Sequence, residues 1–155
     1  MRAAAVVLLL AAALVPARAS AQGDSTRLTL SGFSGAFPTP AVADLDAGLL
    51  AAGSQLTFTI TNVVKKFSRT ATIYIAASGA TLGNGKPSSD LEWKLSTGST
   101  WVALSTTNAL VGTYAVPTTV GASVSGAIDL RMRVSWTDPP ATYSGTSLVI
   151  TMTRP

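Results

Sequence analysis

The sequence predicts an all-β protein, an antiparallel β-sandwich of about seven to eight strands with immunoglobulin-like connections. Three observations support this fold class. Apolar residues recur at every second position in several segments, turn-forming residues fill the gaps between them, and no helical pattern of ten or more residues follows position 21. Strands with one apolar and one polar face are typical of an antiparallel sheet that packs on a core and faces water. A closed barrel is the alternative.

The first residues carry the pattern of an export signal. Arg2 gives a positive start, residues 3–14 form an apolar run, and the small-residue motif ASA follows. This order predicts a signal peptide over residues 1–21, cleaved after Ala21, with cleavage after Ala19 as the alternative. Twelve apolar residues are too few to span a bilayer core of ~30 Å, so no membrane span is expected.

The remaining chain, residues 22–155, has the size of one domain, because removing 21 of 155 residues leaves 134. It contains no Cys, which excludes disulfides and, in an exported chain, indicates a bacterial protein that is secreted, periplasmic or on the cell surface. Loss of Arg2 and Arg18 lowers the net charge from +4 to +2. The cluster of Lys65, Lys66 and Arg69 is typical of a solvated turn, so no nucleic acid is expected.

Each predicted strand can be read from its alternation. In chain order the segments are RLTLS, QLTFTITNV, RTATIYIAA, DLEWKLS, SVSGAIDLRMRVSW and ATYSGTSLVITMT. In the fifth segment Val124, Leu130 and Trp136 are among the residues predicted for the apolar face, with Asp129 and Arg131 on the other. Between the first two segments, PAVADLDAGLLAAG is predicted to hold one helical turn at most, because Pro40 and Gly53 bracket it and Gly48 interrupts it.

One hairpin is predicted in more detail. Trp93 and Trp101 lie symmetrically about Thr97 in EWKLSTGSTWV. A turn at Thr97 would place the two indoles directly across from each other, which adds ~0.5–1.5 kcal/mol beyond their burial.

The composition excludes several kinds of chemistry. The chain has no His and no Cys, so Ser-His-Asp and Cys-His nucleophile systems and the usual zinc and copper sites are absent. Asp90 and Glu92 have the strand spacing of a glycosidase pair, but Lys94 continues their face and indicates an ordinary charged exterior. The sequence therefore predicts a protein that is not an enzyme and has no cofactor.

Two loops resemble ligand-binding motifs only in part. DLDAG places Asp44 and Asp46 two apart, as at the start of a calcium loop, but the later ligands are missing. A turn is the favoured interpretation and a weak calcium site the alternative. GNGKPSS lacks the residues that a phosphate loop requires, since Ala80 and Pro87 occupy those positions, and we interpret it as a flexible loop.

Glycan binding is a further possible function, and it depends on whether the aromatic residues are exposed or buried. Trp93 and Trp101 are candidates for stacking on a glycan, whereas aromatics of a sandwich more often pack in its core. This interpretation gives the alternative function of a small carbohydrate-binding or adhesive module.

The last predicted strand, from Tyr143 to Thr153, carries no charge between Asp138 and Arg154. Sheet edges are usually protected by charge, Pro or a bulge. We therefore expect this strand either to be internal or to form an edge that accepts another chain.

Three stretches, ADLDAGLLAAGSQLTFTIT, VGASVSGAIDL and ATYSGTSLVITMT, resemble exported bacterial pilin-like domains of the spore-coat-U and chaperone–usher types. The positions that carry the resemblance are Asp46, Gly48, Gly121, Tyr143, Gly145 and Thr146. The resemblance implies a structural subunit that assembles by strand addition.

Such assembly would involve the edge of the last strand. Its candidate residues are Tyr143, Leu148, Ile150 and Met152, approached by a strand containing Leu28 and Leu30. The alternative is that Leu28 and Leu30 belong to the first strand of their own domain. The expected partners are further copies of the chain, another surface protein or a glycan.

Overall fold

The computed structural model describes residues 8–9, 26–33, 36–64, 69–138 and 146–153. In chain order the described elements are β1 (Leu8–Leu9), β2 (Thr26–Ser31), β3 (Ala36–Phe37), α1 (Val42–Ala47), β4 (Leu49–Ala51), β5 (Leu56–Asn62), β6 (Arg69–Ala77), β7 (Thr81–Gly83), β8 (Lys86–Pro87), a 3₁₀-helix (Ser88–Asp90), β9 (Leu91–Leu95), β10 (Val102–Ala103), β11 (Ala109–Val116), β12 (Ser123–Arg133) and β13 (Leu148–Thr153). All strand pairs are antiparallel. The predicted all-β class is therefore confirmed.

The larger of the two main sheets is built around β12. Its strand order is β10-β9-β12-β5-β2, and β4 pairs with β12 beyond the end of β5. β4 and β5 thus follow one edge of β12 in two pieces, opposite residues 131–133 and 123–128 of β12. The N–H of Ala52, between the two pieces, donates to the carbonyl of Leu130 at 2.9 Å. We call this six-stranded unit the large sheet.

The second main sheet has the order β11-β6-β13, and we call it the small sheet. β6 lies in its centre, and the pairing of β11 with β6 shifts between Leu110 and Gly112, which marks a bulge. Two short pairs complete the described strands. β7 pairs with β8, and β1 pairs with β3, so Leu8–Leu9 within the predicted signal segment lies beside Ala36–Phe37.

The inner faces of both sheets supply one hydrophobic core. In β5 the residues Leu56, Phe58 and Ile60 are buried and alternate with partly exposed Thr residues, as the sequence predicts. Ile73 and Ile75 of β6 join the same cluster and are fully buried. Because alternation of period two puts these side chains on one face of each strand, the two sheets bury their apolar faces together.

A glycine allows close packing inside the core. A Cβ added at Gly126 of β12 would lie within van der Waals overlap of the Phe58 ring, which covers that glycine. The ring of Phe58 also meets Tyr114 of β11 edge-on, with centroids 5.2 Å apart. Gly126 therefore gives room to the ring of its cross-strand partner Phe58, and that ring contacts Tyr114 of the small sheet.

The short helix α1, Val42–Ala47, lies in the segment between Pro40 and Gly53, and its six residues exceed the single helical turn predicted there. Asp44 accepts a hydrogen bond from the N–H of Ala41 at 2.8 Å, which satisfies one free donor at the helix start. Gly48 ends the helix with φ of 71°, a left-handed conformation that favours glycine.

Three local predictions are corrected. Strand β12 ends at Arg133, so Trp136 leaves the predicted apolar face and its side chain is 62% exposed in a turn. Trp93 pairs with Val102, not Trp101, because the connection to β10 is one residue longer than a symmetric turn allows. The GNGKPSS segment forms the β7–β8 hairpin, whose turn has positive φ at Asn84 and Gly85.

Candidate functional site

Strand β13 forms one edge of the small sheet. All six of its residues pair with β6 in continuous register, from Leu148 opposite Ala77 to Thr153 opposite Thr72. In the described part of the chain no strand pairs with its other side. Such an edge presents a row of backbone donors and acceptors to a further strand. We call this surface the β13 edge.

The opposite edge of the same sheet is built differently. β11 contains the bulge between Leu110 and Gly112, which interrupts its ladder. Bulges are one of the means by which natural proteins protect an edge from pairing. β13 has neither a bulge nor a charged residue nor a proline, so its edge is the regular one.

The side chains of β13 divide between the core and the outside. Leu148 is buried at 4% exposure, and Ile150 and Met152 pack against the core while staying partly exposed. Their cross-strand neighbours, Ile75 and Ile73, are fully buried. The apolar surface next to the β13 edge is therefore only partly covered.

The beginning of β13 is fixed by hydrogen bonds to the loop after β6. The Thr146 hydroxyl accepts from the N–H of Gly79 at 2.9 Å and lies 3.2 Å from its carbonyl oxygen. The N–H of Ser147 donates to the Ser78 hydroxyl at 2.8 Å. Of the neighbouring positions predicted for this surface, Tyr143 and Gly145 lie outside the described residues.

Leu28 and Leu30 lie in β2, at an edge of the large sheet. They pair with Ile60 and Phe58 of β5 and pack, partly buried, against the core. This is the arrangement in which the first strand belongs to its own domain. The structure therefore does not bring Leu28 and Leu30 into β-pairing with β13.

The outer face of the large sheet carries an ionic cluster centred on Glu92. Its carboxylate accepts hydrogen bonds from Arg131 Nε and, at 2.7 Å, from Arg133 Nη2. The Glu92 side chain is only 4% exposed, so the predicted ordinary charged exterior is wrong at this position. Beside it, Lys94 and Asp129 form a second pair at 3.0 Å.

Burial and ion pairing act in opposite directions on these carboxylates. Burial alone raises the pKa of Glu92, but hydrogen bonds from Arg133 and Arg131 outweigh it and hold the pKa below its ordinary value. For Asp129, burial is likewise outweighed by hydrogen bonds from Ser96, Lys94 and Gln55, and its pKa is lowered. Both groups are therefore ionised near neutral pH and engaged within the fold.

The two indoles predicted as glycan platforms lie on opposite faces of the large sheet. Trp93 is 5% exposed and belongs to the core, where its Nε1 has no partner among the described residues. Trp101 is half-buried on the outer face, with the Arg131 guanidinium 4.2 Å from its ring centroid. Arg131 thus covers one face of Trp101 and joins it to the Glu92 cluster.

Asp44 and Asp46, the weak calcium candidates, have separate roles in α1. Asp44 accepts from the N–H of Ala41, and Asp46 accepts a hydrogen bond from Trp136 Nε1 at 3.1 Å. Among the described residues no group of three or more His, Cys, Asp or Glu side chains is arranged to hold a metal ion.

A second ionic cluster surrounds Lys86 in the β7–β8 hairpin. Its Nζ lies 2.9 Å from Asp90 and 2.8 Å from Asp138, and its side chain is 4% exposed. Burial alone lowers the pKa of Lys86, but the hydrogen bonds to Asp138 and Asp90 outweigh it and raise the pKa above its ordinary value. The cluster ties the hairpin to the turn that follows β12.

That turn contains Trp136, which pattern reasoning missed as a surface residue. The N–H of Asp138 donates to the carbonyl of Ser135 at 3.1 Å, which closes a turn over Trp136 and Thr137. Ser at the first position of a turn was a readable signal in SWTD.

Searches against protein-family models, curated proteins and solved structures return no significant match. Over the described residues, no helix combines the length and the apolar character that crossing a membrane requires.

Proposed function

We propose that the protein is an exported, non-enzymatic structural or surface-interaction subunit that associates with further copies of itself by strand addition at the β13 edge. In this proposal the two sheets form an immunoglobulin-like sandwich, and the signal over residues 1–21 directs export. The observation that carries the proposal is the partial exposure of Ile150 and Met152 beside the fully buried Ile75 and Ile73.

An added strand would contact both the backbone groups and the apolar side chains at this edge. Backbone donors and acceptors on the far side of β13 would gain partners, and side chains of the added strand would cover Ile150 and Met152. Full burial of such a side chain stabilises by about 1.5–3 kcal/mol. Because Ile150 and Met152 are already partly buried, covering them would add only a fraction of that amount. A six-residue junction therefore predicts weak association that depends on protein concentration.

The described carboxylates support a non-enzymatic role. Glu92 and Asp129 are held in ion pairs on the large sheet, and Asp90 and Asp138 are held by Lys86. In α1, Asp44 caps the helix and Asp46 binds the indole of Trp136. Each of these carboxylates thus has a structural partner, which supports a structural role for them.

The test places a charge on the edge without touching the core. Thr151 lies on the outer face of β13, so in the substitution Thr151→Lys the added charges of two paired copies would repel each other. Thr113→Lys on the exposed face of the bulged strand β11 is the matched control.

We expect wild-type protein and Thr113→Lys to grow in mean mass with concentration in light scattering, whereas Thr151→Lys stays monomeric. Electron micrographs of the associated wild type distinguish a closed dimer from a filament. A wild type that remains monomeric at high concentration, or a Thr151→Lys variant that associates like the wild type, would refute strand addition at this edge.

A further inference from the structure

The turn after β12 presents an aromatic side chain to solvent in a fixed position. Trp136 is 62% exposed, whereas Trp93 is buried and Trp101 is half-buried against Arg131. Burial of an indole is a large source of stability, and Trp136 gives up most of it. An exposed aromatic of this kind is characteristic of binding surfaces.

Hydrogen bonds hold the turn from two sides. Within the turn, the N–H of Ser135 donates to Asp138 Oδ2 at 2.9 Å, and the same carboxylate is bound by the buried Lys86. The hydroxyl groups of Ser135 and Thr137 lie 3.0 Å apart. The backbone that carries Trp136 is therefore connected to the β7–β8 hairpin through Asp138 and Lys86.

The indole itself is oriented by α1. Its Nε1 donates to Asp46 Oδ1 at 3.1 Å, and the N–H of Val134 donates to the carbonyl of Gly48 at 3.0 Å, just after the helix. One helical turn before Asp46 lies Val42, which is 64% exposed. The turn and the helix thus bring a flat aromatic ring and a carboxylate together, and an exposed apolar residue lies one turn away on the same face of the helix.

These three groups match the chemistry of a sugar ring. The face of a pyranose that carries C–H groups stacks on an aromatic ring, whose face is electron-rich, and its hydroxyl groups donate to carboxylate oxygens. Asp46 has a second oxygen for such a donor while its first holds the indole. Because the carboxylate is negative, it favours a neutral sugar over a uronic or sulfated one.

We propose that Trp136 is a stacking platform for the pyranose rings of a neutral polysaccharide, with Asp46 as the hydroxyl acceptor beside it. A single exposed platform binds one sugar ring weakly, but a polysaccharide offers many equivalent rings. When several protein subunits bind the same polysaccharide molecule, the overall affinity increases. The site is separate from the β13 edge and stands whether or not the protein assembles.

The experiment is native gel electrophoresis of the mature protein through gels containing one soluble polysaccharide each. The probes are a neutral β-glucan, a mannan and a xylan, with polygalacturonate as the acidic comparison. Trp136→Ala removes the platform, Asp46→Ala releases the indole, and Leu110→Ala, at an equally exposed apolar residue of β11, is the control. Circular dichroism shows that each variant is folded.

We expect at least one neutral polysaccharide to retard the wild type and Leu110→Ala equally. Trp136→Ala should bind about tenfold more weakly, and Asp46→Ala should show an intermediate loss. Quenching or a shift of tryptophan emission on titration should vanish in Trp136→Phe, which assigns the response to Trp136 because Trp93 and Trp101 still emit in that variant. Absence of retardation by all three neutral probes, retardation by polygalacturonate alone, or unchanged binding of Trp136→Ala would overturn the proposal.

Discussion

The two main sheets differ in the charge that their strands carry. The large sheet holds an ionic cluster on its outer face, where Glu92 joins two arginines of β12 and Lys94 joins Asp129. The three strands of the small sheet contain one charged residue, Arg69 at the start of β6. The large sheet is thus cross-linked by its own charges, whereas the small sheet relies on packing and leaves a regular edge at β13.

This difference separates stability from association. Charges between β9 and β12 fix the register of the large sheet, because a slip of one residue would move them to the core face. The uncharged β13 lacks the repulsive groups that would keep a further strand away. Changes in the large sheet should therefore affect unfolding, and changes at the β13 edge should affect self-association.

The largest expected effect compares two partners within the small sheet. Ile75 and Ile150 face each other across β6 and β13, but only Ile75 is fully buried. Ile75→Ala should lower the free energy of unfolding by about 2–5 kcal/mol, and Ile150→Ala by about 1–2 kcal/mol in dilute solution. Urea denaturation measures both values.

The comparison sharpens when protein concentration is varied. If strand addition covers Ile150, the cost of Ile150→Ala should increase with concentration while that of Ile75→Ala stays constant. Equal costs for the two variants in dilute solution would mean that the β13 edge is already closed within one chain.

The next effect lies on the large sheet. Glu92→Gln removes the charge that the two arginines bind, and because Arg131 and Arg133 are partly exposed and can be solvated, we expect a loss of about 1–3 kcal/mol. Arg27→Gln, at an exposed position of the same face, should change stability by less than about 0.5 kcal/mol. Self-association of Glu92→Gln should match that of the wild type at temperatures where both are folded; loss of association would contradict the separation of roles.

The contact between the sheets gives a third effect. Gly126→Ala places a methyl group against the ring of Phe58, so the ring and its neighbour Tyr114 must move. Overpacking of this kind costs about 1–3 kcal/mol. Gly53→Ala is the control, because an added Cβ there meets nothing within 4 Å. Thermal unfolding of the two variants should differ clearly, and equal melting temperatures would show that the core absorbs the methyl group.

Much of the fold was predictable because strand alternation is a local property. The apolar faces predicted for β5, β6 and β9, and for most of β12, are those observed. Each face depends only on which strand positions are apolar at every second residue. The pattern failed where the strand ends. Trp136 continues the period of β12, but a turn from Ser135 to Asp138 ends the strand pattern, and the Trp136 side chain lies at the surface.

The candidate site was less predictable, because it depends on which strands become neighbours. The lack of charge in the last strand was visible in the sequence, but its place at an edge beside β6 was not. Glu92 shows the same limit. Its spacing from Lys94 indicated a solvated face, whereas its burial results from Arg131 and Arg133, which are brought beside it by the pairing of β9 with β12.

The smallest effect we predict is a change of stability with pH, which we expect to depend on the carboxylates of the large sheet. Glu92 and Asp129 both have a folded-state pKa below their ordinary values of 4.5 and 3.8, so each stabilises the fold above those values. That contribution is lost as the pH falls through the folded-state pKa, because the protonated carboxyl groups no longer pair with Arg133, Arg131 and Lys94.

The melting temperature should therefore decrease from neutral pH to about pH 3, and Glu92→Gln should decrease less, since one of the two groups is gone. The Ile150→Ala variant, altered only in the small sheet, should follow the wild-type profile with a constant offset. A Glu92→Gln profile as steep as that of the wild type would place the acid-sensitive groups outside the Glu92 cluster.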